Sequence, residues 1–122
     1  MIKIIDGLLD VPTVNDYLCT LKKIEITELQ QELLKIQYSA SSHQIKVEDL
    51  AITVSKPIET VNAVYGKLGH KIKDLLGVDI IGDEGYWKVL SIGYEQDNRF
   101  YWQMRNQFIS ALKELDWFSE RI

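Results

Sequence analysis

Apolar side chains recur every three or four residues through much of the chain, which is the spacing of amphipathic helices. The clearest repeat predicts a long helix that starts at Ile58 and stops at Gly77, a residue type that commonly ends helices. Its apolar positions follow one another at intervals of 3, 4, 3, 4 and 3 residues: Ile58, Val61, Tyr65, Leu68, Ile72 and Leu75. Because this spacing puts them on one side, we expect that face to be buried.

Two helices are predicted nearer the N-terminus, each preceded by a threonine at the N-cap position. Thr13 precedes the helical segment 14–23, and Thr27 precedes the segment 28–40. Residues 1–6 are open to two interpretations, a short strand or a frayed lead-in.

A third, shorter helix is predicted over residues 45–54, after a polar loop at 39–44. The break "SKP" separates it from the long helix. There Ser55 is expected to act as a cap, and Pro57 to lie in the first helical turn.

The period changes to two after residue 86, as it does in strands with one buried face. If the apolar residues of both strands share a face, Tyr94 pairs with Phe100 and Ile92 with Trp102 across a five-residue loop, 95–99. A loop shorter by one residue would put the two apolar sets on opposite faces. The outward positions of the second strand are then Tyr101, Gln103 and Arg105.

A last helix is predicted over 106–118, with Asn106 as its cap and with Trp117 and Phe118 folding back on the core. The three tryptophans, Trp87, Trp102 and Trp117, are expected to build the core between hairpin and helices. An exposed pair would instead mark a partner surface.

This order of elements predicts an α+β fold, mainly α: a winged helix-turn-helix with a C-terminal helix after the β-hairpin wing. The length fits a single domain, 1–122. Its predicted parts are an N-terminal helical part (1–38), a helix-turn-helix (45–77), a hairpin wing (86–105) and a C-terminal helix (106–118). The alternative is a general α+β interaction domain whose hairpin packs on the helices as a small sheet.

Composition narrows the class of function. The chain has 122 residues, 46% of them hydrophobic, with a net charge of −4 and a pI of about 5.1. This acidity argues against non-specific coating of nucleic acid, yet it permits a local basic patch. The sequence has no long uncharged apolar run and no signal-peptide pattern, so we expect no membrane partner. The single cysteine, Cys19, fits a cytoplasmic location, and we expect it to be buried.

A family resemblance rests on "VEDLA", "VNAVYGKLGHKIKDLLG", "WKVLSIGY" and "WQMRNQFISALKELDWF", which lie between residues 47 and 118. Together they resemble a small winged-helix-type module of predicted bacterial restriction and HNH-endonuclease-associated proteins. The resemblance implies a nucleic-acid-linked or defence-linked accessory module. The chain departs from it in having "ITVSKP" where a glycine-containing turn is expected, and in having no His-Asn-His pattern, so no catalysis is carried over.

Candidate DNA contacts lie on the long helix opposite its apolar stripe and on the hairpin. Asparagine can read adenine, lysine can contact phosphate or guanine, arginine suits phosphate or the minor groove, and glycine permits close approach of a backbone. The predicted DNA-binding residues are Lys56, Asn62, Gly66, Lys67, His70, Lys71, Lys73, Arg99 and Arg105.

These positions also have structural interpretations. Gly66 and Gly69 would equally let another helix pack closely, or the helix would break at Gly66 and restart. The hairpin face, with Glu95 and Asp97 near Arg99, would equally be a solvated surface.

No pattern in the sequence indicates catalysis, a metal or a cofactor. His43 and His70 are isolated, and we expect both to be solvated. The adjacent acids Glu48–Asp49 and Asp83–Glu84 are explained by helix-start charge and loop solubility. We therefore expect a non-catalytic DNA-binding module, regulatory or defence-associated, with double-stranded DNA as its partner. The alternative is a protein–protein interaction module, such as an inhibitor, immunity protein or accessory subunit.

Overall fold

The computed structural model of the protein describes residues 2–82 and 85–118, and within these ranges the fold is α+β and mainly helical, as predicted. The described elements are β1 (Lys3–Ile5), α1 (Val14–Leu21), α2 (Glu28–Ser39), β2 (Gln44–Lys46), α3 (Val47–Val54), α4 (Ile58–Leu76), β3 (Ser91–Gln96), β4 (Arg99–Met104) and α5 (Asn106–Leu115), with short 3₁₀ turns at Ser41–His43 and Tyr86–Val89. Every described helix is too short or too polar to cross a lipid bilayer.

The first two helices begin where the threonines predict. Thr13 Oγ1 accepts a hydrogen bond from the Asp16 backbone at 3.1 Å, and Asp16 Oδ2 accepts one from the Thr13 backbone at 3.0 Å. Thr27 and Gln30 form the same pair of bonds at the start of α2. Each capping box satisfies two backbone donors that a helix start leaves free.

The long helix α4 is continuous and ends at Gly77, which has φ +71°. Its predicted face is buried along the middle, and its terminal members Ile58 and Leu75 are 40% and 53% exposed. The break before it differs from the prediction. Ser55, with φ +56°, ends α3, and Pro57 immediately precedes α4 instead of lying in its first turn.

The four described strands form one antiparallel sheet in the order β1-β3-β4-β2. β1 shows that the first residues form a strand, one of the two interpretations left open. β2 was not predicted, because residues 39–44 were interpreted as a loop and 45–54 as a helix. Ile45 of β2 pairs with Trp102 of β4, so this short strand makes the hairpin the centre of a sheet.

The hairpin register differs from the predicted one. Gln96 pairs with Arg99, so a two-residue turn, Asp97–Asn98, replaces the five-residue loop 95–99. Both turn residues have positive φ, +54° and +62°, which is the conformation of the type I′ turns that match strand twist. Asp and Asn tolerate this left-handed conformation better than most residues.

The shift by one residue changes which side chains share a face. Trp102 pairs with Gly93 instead of Ile92, and Tyr94 pairs with Tyr101 instead of Phe100. Trp102 and Met104 are fully buried, whereas Ile92 and Tyr94 are half-buried on the other face. The two apolar sets therefore lie on opposite faces. Gly93 leaves room for aromatic rings, because a Cβ there would lie 2.7 Å from Trp87 Cη2 and 2.9 Å from Phe100 Cζ.

A buried polar network joins helices α2 and α4 to the sheet. The Tyr65 hydroxyl donates to Gln37 Oε1 at 2.6 Å and lies 2.6 Å from Ser91 Oγ. Gln37 Nε2 donates to Ser91 Oγ and to the Trp102 carbonyl at 2.9 and 3.2 Å. The Tyr65 and Trp102 rings stack with centroids 4.0 Å apart. These bonds fix the distance between α4 and the hairpin.

Three local predictions need correction. Cys19 is exposed, because Leu18 and Leu21 take the core-facing side of α1. Asn106 is the first residue of α5, and Arg105 is its N-cap residue. α5 ends at Leu115 instead of continuing to 118. The prediction that Phe118 returns to the core is confirmed, since it is buried, and the half-buried Trp117 packs against the same core.

Candidate functional site

The side of α4 opposite the core forms one wall of an open groove, which we call the α4–hairpin groove. It has a cavity volume of about 600 Å³, within the range of small-ligand sites. The facing wall is made by the turn Tyr86–Val89 and the start of β4. The residues that line the groove are Asn62, Ala63, Gly66, Lys67 and His70 on α4, with Gly85, Tyr86, Trp87 and Phe100 opposite.

Gly69 lets the Tyr86–Val89 turn approach α4. A Cβ at Gly69 would overlap the carbonyl oxygen of Tyr86, so only glycine fits this contact. The Tyr86 ring stacks on His70 with centroids 4.3 Å apart. Gly69 therefore serves packing, as one interpretation of the sequence held, although its neighbour is a turn and not another helix.

Gly66 has a different environment. Apart from its chain neighbours and the adjacent backbone of α4, no described atom lies within 4 Å of a Cβ built on Gly66. Because α4 is continuous through this position, the interpretation that the helix breaks at Gly66 is wrong. The missing side chain leaves open space on the α4 wall of the groove.

The α4 wall carries polar side chains. Asn62 and Lys67 are exposed beside Gly66. His70 Nε2 lies 3.5 Å from Asp74 Oδ2, and the His70 side chain is 50% exposed. His70 is therefore only partly solvated, since one ring face is covered by Tyr86 and an edge by Asp74. Lys67 is the lysine that lines the groove among the described residues.

The opposite wall is aromatic, which the sequence did not indicate. Trp87 and Phe100 are half-buried, and their rings meet edge to face with centroids 5.4 Å apart. All three tryptophans were expected in the core, but only Trp102 is fully buried. Trp87 packs against Trp102 on one side and lines the groove on the other. The available signal in the sequence was a pair of aromatic residues, Tyr86 and Trp87, directly after Gly85.

The groove continues towards the tip of the hairpin. A smaller depression of about 180 Å³ brings Arg99 and Asn98 together with Ile58, the first residue of α4. Phe100 lines both cavities. Arg99 is exposed there, and Lys56 is exposed in the turn before α4. The hairpin tip and the start of α4 thus share one surface.

Other predicted contact residues do not line the groove. Lys71 Nζ donates to the Glu25 carbonyl at 3.1 Å, next to the start of α2. Lys73 is half-buried. Neither lines a described cavity with Asn62 and Lys67, although all were predicted on one binding face.

The predicted outward position of Arg105 is wrong. Its side chain is 2% exposed, because β4 ends at Met104 and the chain turns inward into α5. Arg105 Nε donates to the Lys88 carbonyl at 2.8 Å, and Nη2 forms an ion pair with Asp6 Oδ1 at 2.8 Å. Arg105 therefore links the N-terminal segment to the Tyr86–Val89 turn.

The second histidine also differs from its prediction. His43 Nδ1 lies 2.6 Å from the Tyr38 carbonyl, and its ring packs on Tyr38 at 5.1 Å, so His43 is half-buried instead of fully solvated. Glu48 and Asp49 lie in the first turn of α3, as expected. Asp83 and Glu84 lie outside the described residues.

Comparison with protein-family models, with curated proteins and with solved structures found no significant match to the chain. The geometry and chemistry of the groove therefore provide the basis for a functional proposal.

Proposed function

We propose that the protein is a non-catalytic winged helix-turn-helix module that binds double-stranded DNA through α4 and the β3–β4 hairpin. The observation that carries this proposal is the surface shared by the open face of α4 and the hairpin tip. That surface holds an amide at Asn62, a lysine at Lys67 and an arginine at Arg99. At Gly66 no other described segment of the chain covers this surface.

The arrangement of elements supports the same proposal. The order α2, β2, α3, α4, β3, β4, with β2 hydrogen-bonded to β4, is the order expected for a winged helix-turn-helix. The residues 55–57 join α3 to α4 in a short turn, as in helix-turn-helix units. In this assignment α4 is the recognition helix and the β3–β4 hairpin is the wing, while β1 and α5 are additions.

The proposed contacts follow from the position of each side chain. Recognition helices present their first turns to base edges, and Asn62 lies there with an amide that can pair with adenine. Lys56 lies in the turn before α4, Arg99 lines a cavity with Ile58 at the start of α4, and Lys67 lies farther along the helix. These three cations suit phosphate contacts, which fix position without reading sequence.

Fluorescence anisotropy with a labelled duplex of mixed sequence tests the proposal. We expect the logarithm of the binding constant to fall with the logarithm of salt concentration by about 0.9 for each phosphate contacted. Charge reversal by Lys67→Glu or Lys56→Glu should weaken binding by roughly tenfold or more, about 1.4 kcal/mol. Lys113→Glu changes net charge equally on α5, outside the groove, and should have little effect. Equal losses in all three variants, or no salt-dependent binding, would contradict the proposal.

A protein partner is the second candidate, and the net charge of −4 together with the aromatic wall favours it. Glu59 separates the two candidates, because it is exposed on the first turn of α4. If phosphate approaches this face, Glu59→Gln removes a repulsion and should tighten duplex binding several-fold, by about 1 kcal/mol. If a basic protein surface docks there instead, neither the wild-type protein nor Glu59→Gln should bind DNA, and Glu59→Gln should weaken the protein complex.

A further inference from the structure

We propose that the α4–hairpin groove receives one unstacked nucleobase of the bound nucleic acid, an inference that rests on the proposed DNA binding. Contacts with a paired duplex involve the outer face of α4 and the hairpin tip. They leave unused the space between α4 and the aromatic wall. That space is large enough for a ligand of nucleotide size, with a cavity volume of about 600 Å³.

The aromatic wall provides surfaces on which a base can stack. Trp87 and Phe100 are half-buried, so each ring is held by packing and still contributes to the lining of the groove. Gly93 and Trp102 fix the position of Trp87 from behind. Stacking of a base on an aromatic side chain contributes about 1–3 kcal/mol. This is comparable to the few kcal/mol that unstacking a base from a duplex costs.

The α4 wall provides the complementary polar groups. When a base enters the groove, the Asn62 amide pairs with the edge of that base instead of with a paired adenine, because it can both donate and accept hydrogen bonds. Lys67 lies on the same wall and can contact the phosphate that joins the base to the strand. Among the described residues that line the groove, Lys67 is the lysine, so it supplies the fixed positive charge. This charge favours a nucleotide over an apolar side chain of a protein partner as the occupant.

Gly66 keeps the groove open. A Cβ built there meets no described atom within 4 Å beyond its chain neighbours and the adjacent backbone of α4, so any larger side chain would extend into the space that a base would take. Glycine in a helix costs about 1 kcal/mol relative to alanine. Removing the glycine should therefore fill the groove without loss of folding stability.

The test compares two duplexes of equal length, one fully paired and one with a single bulged 2-aminopurine, by anisotropy and by the fluorescence of that base. Wild-type protein should bind the bulged duplex roughly tenfold more tightly, because the cost of unstacking is reduced. The 2-aminopurine emission should fall as the base stacks on Trp87. Gly66→Leu should reduce the affinity ratio to about one and abolish the emission change.

Ser110→Leu is the matched control, since it adds the same side chain to an exposed position of α5. It should keep both the affinity ratio and the emission change. Circular dichroism with urea unfolding confirms that each variant is folded. Equal affinity of wild-type protein for the two duplexes would overturn the base-binding inference and leave duplex binding intact. A preference that persists in Gly66→Leu would also overturn it. Failure to bind either duplex would overturn both proposals and leave the groove to a protein partner.

Discussion

At the residue scale, Gly66 and Gly69 lie in the same helix and have opposite surroundings. Gly69 is in contact with the Tyr86 carbonyl, and Gly66 borders open space. Both are in helical conformation, so the intrinsic cost of glycine in a helix is the same for each. The difference between them is therefore a difference in contacts alone, which a pair of identical substitutions can measure.

We predict that Gly66→Ala raises the free energy of unfolding by about 1 kcal/mol, because it removes the glycine penalty and meets no neighbour. Gly69→Ala should lower it by about 1–3 kcal/mol, because the methyl group displaces the Tyr86–Val89 turn. Urea unfolding followed by circular dichroism measures both. A change of the same sign in the two variants would contradict the placement of this turn against α4.

Residues whose role is local were predictable, and residues whose role depends on a distant segment were not. The caps at Thr13 and Thr27 use partners only three residues away, and Gly77 ends α4 through its own backbone conformation. Arg105 is buried because Asp6, from the other end of the chain, supplies its ion pair. His43 is covered by Tyr38 through a turn that the sequence presents only as a polar loop.

At the element scale, the hairpin turn decides which residues of the sheet face the helices. The period-two pattern predicted two strands, and both are present. The pattern alone does not determine the register, which was predicted by assuming that the apolar residues of both strands share a face. The two-residue turn at Asp97–Asn98 gives the other register, in which small residues, Ser91 and Gly93, lie across from the buried Met104 and Trp102. The core thus combines small residues on one strand with large ones on the next.

We predict that the turn tolerates glycine and rejects branched residues at Asn98, which has φ +62°. Asn98→Gly should keep or raise the free energy of unfolding, since Asp-Gly is a preferred type I′ sequence. Asn98→Val should lower it by about 1–2 kcal/mol, because left-handed backbone is costly for side chains with a Cβ. Thermal or urea unfolding of the two variants distinguishes this turn from the five-residue loop, in which both changes would have similar small effects.

The helices were predictable to within a few residues, whereas strand β2 was not. The helices α1, α2 and α4 each extend over two or more turns, which is long enough for the helical spacing of apolar residues to be recognised in the sequence. β2 has three residues, too few for a period to show, and its pairing partner β4 lies more than 50 residues farther along the chain. A strand of this kind is specified by its tertiary neighbours and not by its own pattern.

At the scale of the whole molecule, the sequence predicted the α4 wall of the groove but not the aromatic wall opposite it. The outer face of α4 follows from the helical period, so Asn62, Gly66 and Lys67 were correctly placed together. The aromatic wall depends on how the Tyr86–Val89 turn folds between α4 and the sheet. That placement is stabilised by long-range bonds, such as the Tyr17 hydroxyl to the Val89 carbonyl at 2.6 Å. No local pattern encodes such a bond.

Two buried tyrosines, Tyr17 and Tyr65, make the folding stability of the protein depend on pH in alkaline solution. Burial raises the pKa of Tyr65 and of Tyr17 well above the ordinary value of about 10. Both hydroxyls are therefore protonated in the folded protein at a pH where the unfolded chain has released its protons. The unfolded state then binds fewer protons, so stability is fully present below about pH 10 and falls as the pH rises above it.

We predict a decline in the free energy of unfolding of about 1.4 kcal/mol per pH unit for each tyrosine, or about 2.7 for both, above pH 10. Urea unfolding at several values between about pH 8 and about pH 11 measures this slope. Tyr65→Phe should halve it, and should also lower stability at neutral pH by about 1–3 kcal/mol, because Gln37 Oε1 loses the donor it has in the folded core. Stability that stays constant across this range, or a slope unchanged in Tyr65→Phe, would contradict the burial of these tyrosine hydroxyls in the folded protein.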